Sequence, residues 1–320
     1  MDSITNSIRL GFVGVGNMGS RIARRLMDHG YTVMVYDSDY DKVSELERNG
    51  AEVAVSIANL ARMSDVVLSC LTNDEAVRNV YLGADGILSN LRMGSLVLEM
   101  STVSPSTSRE ISRQGHERGM NVLDIAISGS TPAAEQGTLT LLAGGNIEIF
   151  SVVEPILRAI AQQYFYLGPS GSGSTMKLVV NTLLGVGMQS VAEAVALGQK
   201  AGLDRHRLLD VLAKTAVIAP ALVGKLGRVS QEDYSPQFPI RLMNKDFRLI
   251  LETAAELRVP MPATAAAFQI NSAEVGGESG EDFSVVVELM ESLARLRLVG
   301  EERQAATSID PNARNSKRVQ

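Results

Sequence analysis

The chain has 320 residues, 45% hydrophobic and 21% charged, an ordinary globular composition with core enough for two domains. A net charge of −6 argues against nucleic-acid binding, and the single cysteine, Cys70, excludes an intrachain disulfide and fits a reducing, cytoplasmic location. The first seven residues are polar and every apolar run is interrupted by Gly, Lys or Asn, so neither a secretory signal nor a membrane span is expected.

Ile8 to Val13 is short and apolar, as a buried parallel strand should be. Gly14, Gly16 and Gly19 follow it in the pattern G-x-G-x-x-G. Their spacing serves a tight turn, a close backbone approach to a pyrophosphate, and close packing of the next helix. That helix, about Met18 to His29, would present free N–H groups and its positive end to phosphates, and Asn17 and Met18 count with the cofactor side. Gly30 stops it, Tyr31 to Tyr36 is a second strand, and Asp37 stands at that strand's end. A carboxylate there accepts hydrogen bonds from a ribose 2′-hydroxyl and repels a 2′-phosphate, which favours NAD, with NADP possible. Arg21, Arg24 and Arg25 on the helix are expected to be solvated.

Further strands are expected at 66–71, 95–100, 121–127, 138–143 and 163–167, and helices near 39–49, 56–62, 73–80 and 105–118. Ser104-Pro105 is a strong helix start. The alternation predicts an α/β fold, a doubly wound, mostly parallel sheet of the Rossmann type. Near Gly168 to Gly173 the pattern changes. Ser174 to Ala201 reads as one helix, apolar on nearly every face and so buried all round. Helices alone follow, about 204–214, 217–227, 239–257, 261–276 and 281–297, punctuated by Pro220, Pro236, Pro239, Pro260 and Pro262. The expected division is a nucleotide-binding domain over 1–168, an all-α substrate and oligomerisation domain over 169–300, and a disordered tail over 301–320. A long apolar helix among helices suggests a homodimer or homotetramer.

Three clusters carry candidate chemistry. Asp124 to Ser130 ends a strand, where open α/β sheets bind ligands. Ser128, Gly129 and Ser130 offer a hydroxyl and backbone N–H groups to a small carboxylate, although taken alone this cluster is better explained as a plain turn of small residues. Lys177 and Asn181 lie four residues apart, on one face of the long helix, and burial there would lower the lysine pKa into acid–base range. Phe238-Pro239 through Lys245-Asp246 places adjacent opposite charges that point in different directions; a solvated pair is the plainer reading. Leu71 and Thr72, after the strand at 66–71, count with the cofactor side. His29, His116 and His206 are scattered and no metal site is expected. Cys70 reads as an inert buried thiol.

The glycine motif Gly14-Val-Gly16-Asn-Met-Gly19, Ser101-Thr102, Asp124 to Gly129, Gly168-Pro-x-Gly171-x-Gly173, Lys177-x-x-x-Asn181 and Lys245-Asp246 occur in this order. Together they resemble the β-hydroxyacid dehydrogenase family, typified by 3-hydroxyisobutyrate dehydrogenase, over about residues 8–297. Phe238-Pro239, Lys245-Asp246 and Glu281 to Ser284 are similar to its succinic semialdehyde and glyoxylate reductase branch. The resemblance implies an NAD(P)-dependent oxidoreductase acting on a small hydroxy acid or semialdehyde. Lys177 would be catalytic; Ser128, Gly129, Ser130, Asn181, Phe238 and Asp246 would lie on the substrate side. Thr102 would sit between substrate and nicotinamide, and Lys245 would reach the cofactor. Two positions depart from the pattern: Ser130 replaces the usual second glycine, and Asp37-Ser38 replaces the arginine usual in the semialdehyde branch. Imine reduction is disfavoured by the lysine. A non-catalytic nucleotide-binding scaffold is the reading from another functional class.

Overall fold

The computed structural model describes residues 8–275 and 280–295; the tail expected to be disordered lies outside them. Two compact units divide the chain. The first runs through Thr182 and takes back Lys245–Met261; the second holds Leu183–Asn244 and the chain from Pro262 onward.

The first unit alternates β1 (Arg9–Val13), α1 (Gly19–Asp28), β2 (Thr32–Tyr36), α2 (Tyr40–Arg48), β3 (Glu52–Val53), α3 (Ile57–Met63), β4 (Val66–Ser69), α4 (Asp74–Leu82), α5 (Ile87–Asn90), β5 (Leu96–Glu99), α6 (Pro105–Glu117), β6 (Asn121–Ser128), α7 (Thr131–Gln136), β7 (Leu139–Gly144), α8 (Ile147–Ile160) and β8 (Ala161–Tyr166). One eight-stranded sheet results, in the order β3-β2-β1-β4-β5-β6-β7-β8. Its neighbours pair in parallel, except that β7 runs antiparallel to β6. The order reverses between β1 and β4, and the crevice beyond the carboxyl ends of those two strands is where such sheets bind ligands. Successive strand residues face opposite sides of the sheet. Phe12, Leu68 and Leu98 therefore pack with α1 and α8 residues on one face, while Val13, Val67 and Val97 pack with Leu60, Tyr81 and Ile111 on the other.

Local chemistry fixes the helix starts. Asp39, Ser56, Asn73, Ser104 and Asn146 each accept a backbone N–H of the helix they precede, and Pro105 follows Ser104 as the spacing predicts. Four elements escape the sequence reading. The strand β3 and the helices α5 and α7 are too short to show a period. The helix α8 contains Pro155, a residue ordinarily read as a break.

Helices make up the rest: α9 (Ser172–Lys200), α10 (Arg205–Ala213), α11 (Pro220–Ser230), α12 (Ile240–Leu257), α13 (Pro262–Val275), a 3₁₀ turn at Phe283–Val285, and α14 (Val286–Leu293). Pro220 opens α11 instead of interrupting a helix begun at 217. The helix expected over 281–297 starts two residues later, as a 3₁₀ turn that runs directly into α14, with the Asp282 carboxylate capping it through the Ser284 N–H; residues 296 and 297 lie outside the described residues. The expectation that the long helix is buried all round is overturned: Leu183 and Leu197 on α9 are 73% and 72% exposed. Length and mean hydropathy alone would let α9 cross a bilayer. Its first turn is instead fastened to the sheet, as described below. Within the second unit, Arg205 pairs with Glu291 at 2.7 Å and Lys225 with Asp282 at 2.5 Å, all four side chains nearly or fully buried.

Candidate active site

The three glycines of the β1–α1 loop are distinguished by what a side chain at each would meet. Gly14 has φ +87°, and a Cβ there would lie 2.4 Å from the Cys70 carbonyl. Its N–H donates to the Tyr36 carbonyl at 2.9 Å, which closes the turn over the sheet. A Cβ on Gly19 would lie 2.0 Å from the Gly14 carbonyl, so α1 is packed on its own loop. Gly16 differs: nothing stands within 4 Å of its would-be Cβ. The loop is thus open to an approaching group on that side only, and no side chain caps the start of α1. An open backbone cradle at an uncapped helix start suits a pyrophosphate. Met18 is the N-cap residue of α1, and Asn17 stands just before it in the loop.

Asp37 is half-built into this loop. One oxygen accepts the Val15 N–H and the other the Asp39 N–H, both at 3.0 Å. The Lys42 ammonium lies 3.6 Å from Asp37 and 3.5 Å from Asp39. Sequence spacing had not singled out Lys42, which reaches back from the first turn of α2. Of the arginines expected to be solvated, Arg24 is exposed. Arg21 pairs with Glu135 at 2.6 Å, and Arg25 donates to the Ala159 carbonyl at 3.0 Å, tying α1 to α7 and α8.

A second group of side chains gathers around the start of α9. The buried Asp124, on β6, accepts the Gly171 N–H at 2.8 Å and the Ser174 N–H at 2.9 Å. It thereby holds two of the N–H groups that a helix start leaves free. The glycines there are packing requirements. A Cβ on Gly173 would meet the Leu142 carbonyl at 2.3 Å, and one on Gly144 would meet Asp124 at 2.7 Å. One turn further along α9 stands Lys177, near enough to Asp246, Lys245 and Cys70 to feel their charges. Burial pulls its pKa below the ordinary lysine value; the Asp246 carboxylate opposes this and the Lys245 charge adds to it. One turn on again, buried Asn181 donates to Asp246 at 2.5 Å, while its own Oδ1 is buried with no hydrogen-bond partner among the described residues. Lys245 lies 3.0 Å from Asp246 and donates to the Thr102 carbonyl at 2.5 Å, so it bridges α12 and the loop after β5. Burial pushes the Cys70 thiol up to about 12, which removes it as a nucleophile.

Comparison with known proteins decides the family. Residues 9–168 match the family model for the NAD binding domain of 6-phosphogluconate dehydrogenase. Residues 171–290 match that for the NAD-binding region of NADP-dependent 3-hydroxyisobutyrate dehydrogenase. The chain is 33% identical to 2-(hydroxymethyl)glutarate dehydrogenase of Eubacterium barkeri, over 92% of this chain and 98% of that one. The chain belongs to the β-hydroxyacid dehydrogenase family. By family it is an NAD(P)-dependent hydroxyacid dehydrogenase. Glyoxylate/succinic semialdehyde reductase 1 of Arabidopsis thaliana is also 33% identical, over 88% of this chain and 96% of that one. A crystal structure of 3-hydroxyisobutyrate dehydrogenase from Salmonella typhimurium superposes with a TM-score of 0.81 at 30% identity, covering 88% of this chain and all of that one.

Among the residues singled out by sequence, the fold of this hydroxyacid dehydrogenase gathers Lys177, Asn181, Lys245, Asp246 and Thr102 into one connected group. Leu71 and Thr72 follow β4 beside Gly14, whose Cβ would lie 2.9 Å from the Leu71 side chain. Ser128, Gly129 and Ser130 lie at the carboxyl end of β6, with Gly129 and Ser130 exposed and Gly129 at φ +147°. They make no hydrogen bond to Lys177 or Asn181. Phe238 belongs to the helical unit, where it donates its N–H to Asp282 at 3.0 Å and packs edge-on against Phe283 at 5.6 Å. Lys245 and Asp246, which read as a solvated pair from sequence alone, are instead largely buried. Glu99 was missed altogether. A lone acid ending a hydrophobic strand carries no motif, and only its burial marks it.

Proposed function

We propose that this dehydrogenase reversibly oxidises a small 3-hydroxy acid of the 3-hydroxyisobutyrate kind to its semialdehyde or keto acid, with Lys177 as general acid and base. The observation that carries this reading is the desolvated Lys177 amine, one helical turn before Asn181 and its unpartnered buried oxygen, on a helix whose start is clamped by Asp124. When bound, the nicotinamide accepts or supplies the hydride. Lys177, as a neutral amine, takes the hydroxyl proton in oxidation; as an ammonium it returns that proton in reduction and steadies the developing alkoxide. Asn181, oriented by Asp246, offers its free Oδ1 to the substrate hydroxyl or to the lysine ammonium. Ser128, Gly129 and Ser130 hold the carboxylate. Gly14, Gly16, Asn17, Met18 and Gly19 present backbone to the pyrophosphate. Asp37 serves the ribose, while Leu71, Thr72, Thr102 and Lys245 serve the nicotinamide side. Phe238 enters by resemblance alone.

The open backbone at Gly16 and the uncapped start of α1 fit the dinucleotide. A carboxylate at position 37 favours NAD; Lys42, close beside it, supplies the cation that a 2′-phosphate would need. The substrate is set by differences of a methylene or so, each about 1–3 kcal/mol. Equal identity to a hydroxy-acid dehydrogenase and to a semialdehyde reductase does not choose between the two directions. We place the enzyme in the cytoplasm as a homodimer or homotetramer, with the exposed face of α9 as the self-association surface.

The test is a panel of 3-hydroxyisobutyrate, 4-hydroxybutyrate and glycerate with NAD and NADP, and of succinic semialdehyde and glyoxylate with the reduced cofactors. The reading expects NAD-linked turnover of a 3-hydroxy acid. Turnover confined to succinic semialdehyde and glyoxylate assigns the reductase branch instead. Tight NADH binding with no turnover of any compound contradicts an enzymatic role and leaves the scaffold.

A further inference from the structure

Glu99 ends β5 in register with Ser69 of β4 and Asp124 of β6, and only 2% of it is exposed. One oxygen accepts the Ser101 N–H at 2.8 Å. Ser101 Oγ in turn accepts the Leu71 N–H at 2.8 Å. The next residue, Thr102, gives its carbonyl to Lys245. The other Glu99 oxygen is buried and has no hydrogen-bond partner among the described residues. The charged or titratable groups facing it are Asp124 on β6, Tyr81 on α4, Cys70 after β4 and Lys245 on α12.

We propose that Glu99 is a positioning residue for the reaction: its carboxyl fixes the loop from Met100 to Thr102 and, through Ser101, the Cys70–Leu71 backbone on the cofactor side of the sheet. This rests on the cofactor-side reading of Leu71 and Thr102, not on the role of Lys177. Burial raises the Glu99 pKa to about 8; nearby Asp124 adds to this, while hydrogen bonds from Ser101 and the Lys245 charge oppose it. The side chain is therefore a neutral acid at neutral pH. Ionisation places a second buried charge next to Asp124 and strains the loop.

The sign of the stability effect follows. Between the unfolded glutamate value, about 4.3, and about 8, the folded chain holds a proton that the unfolded chain has lost. Stability drawn from this group is thus full below that window and is lost as pH rises through it. Glu99→Gln cannot titrate. Its melting temperature, measured without cofactor, should gain on wild type as pH rises through the window and then hold a constant difference.

The affinity test uses NADH alone, read by its fluorescence. In wild type the Kd should rise above about pH 8, and in Glu99→Gln that rise should vanish while the Kd near pH 7 stays close to wild type. Glu99→Ala should weaken NADH binding about tenfold, and the glutamine variant should restore it. If the alanine variant fails to fold, Ser101→Ala, which removes the Leu71 acceptor, should show the same loss. Wild-type Kd in the alanine and serine variants, or an unchanged alkaline rise in Glu99→Gln, overturns the proposal. Failure of Lys177 variants to lose turnover would leave these binding results untouched, so the two readings fail separately.

Discussion

Single residues carry the site, and the three loop glycines show how a shared letter hides different duties. Gly14 needs a left-handed backbone and Gly19 needs space against a carbonyl, whereas Gly16 needs neither for folding. Gly16→Ala should therefore leave the cofactor-free melting temperature unchanged and weaken NADH binding about tenfold or more, whereas Gly19→Ala should destabilise by about 1–3 kcal/mol. Equal loss of stability in both would remove the argument that Gly16 is reserved for a ligand. The motif was legible in sequence because its spacing encodes backbone geometry. Lys177 and Asn181 were legible because four residues make one helical turn. Lys42, Glu99 and the burial of Asp246 were not, since each depends on contacts between residues distant in sequence or on depth alone.

At the scale of elements, the start of α9 is the joint that matters. The carboxylate of Asp124 fills two free N–H groups, and the absent side chain of Gly173 lets α9 sit against the carbonyls of β6 and β7. The two nearest contacts for a Cβ at 173, the Leu142 and Asp124 carbonyls, are backbone, which cannot swing away. Gly173→Ala should cost about 1–3 kcal/mol in urea unfolding and should displace the helix that carries Lys177, lowering kcat as well. A variant with the wild-type unfolding midpoint would show that the tight approach is not required. Most strands and helices were readable from alternating apolar runs and cap residues, because burial on both sheet faces writes itself into sequence. The helix α8 was not, since Pro155 imitates a break, and α9 misled because apolar composition does not say whether a partner covers the face.

At the scale of the whole molecule, α9 leaves Val179, Leu183 and Leu197 open to solvent at roughly helical spacing. Monomeric proteins seldom leave contiguous apolar faces uncovered. Leu183→Glu should leave folding intact and lower the mass measured by light scattering to that of the monomer. An unchanged mass would contradict the self-association proposed for this face of α9.

The chemistry asks most of one amine. Because burial lowers the Lys177 pKa, the rate of oxidation should rise with pH along a limb below the ordinary lysine value, as the neutral base forms. Lys177→Met keeps the apolar stem and removes the proton carrier. Single-turnover hydride transfer, with the best hydroxy acid of the panel and with NADH affinity measured on the same sample, is the most direct test. The account predicts at least about a 100-fold loss of rate, loss of the pH limb and unchanged NADH binding. A rate within about tenfold of wild type, with the limb intact, would contradict it.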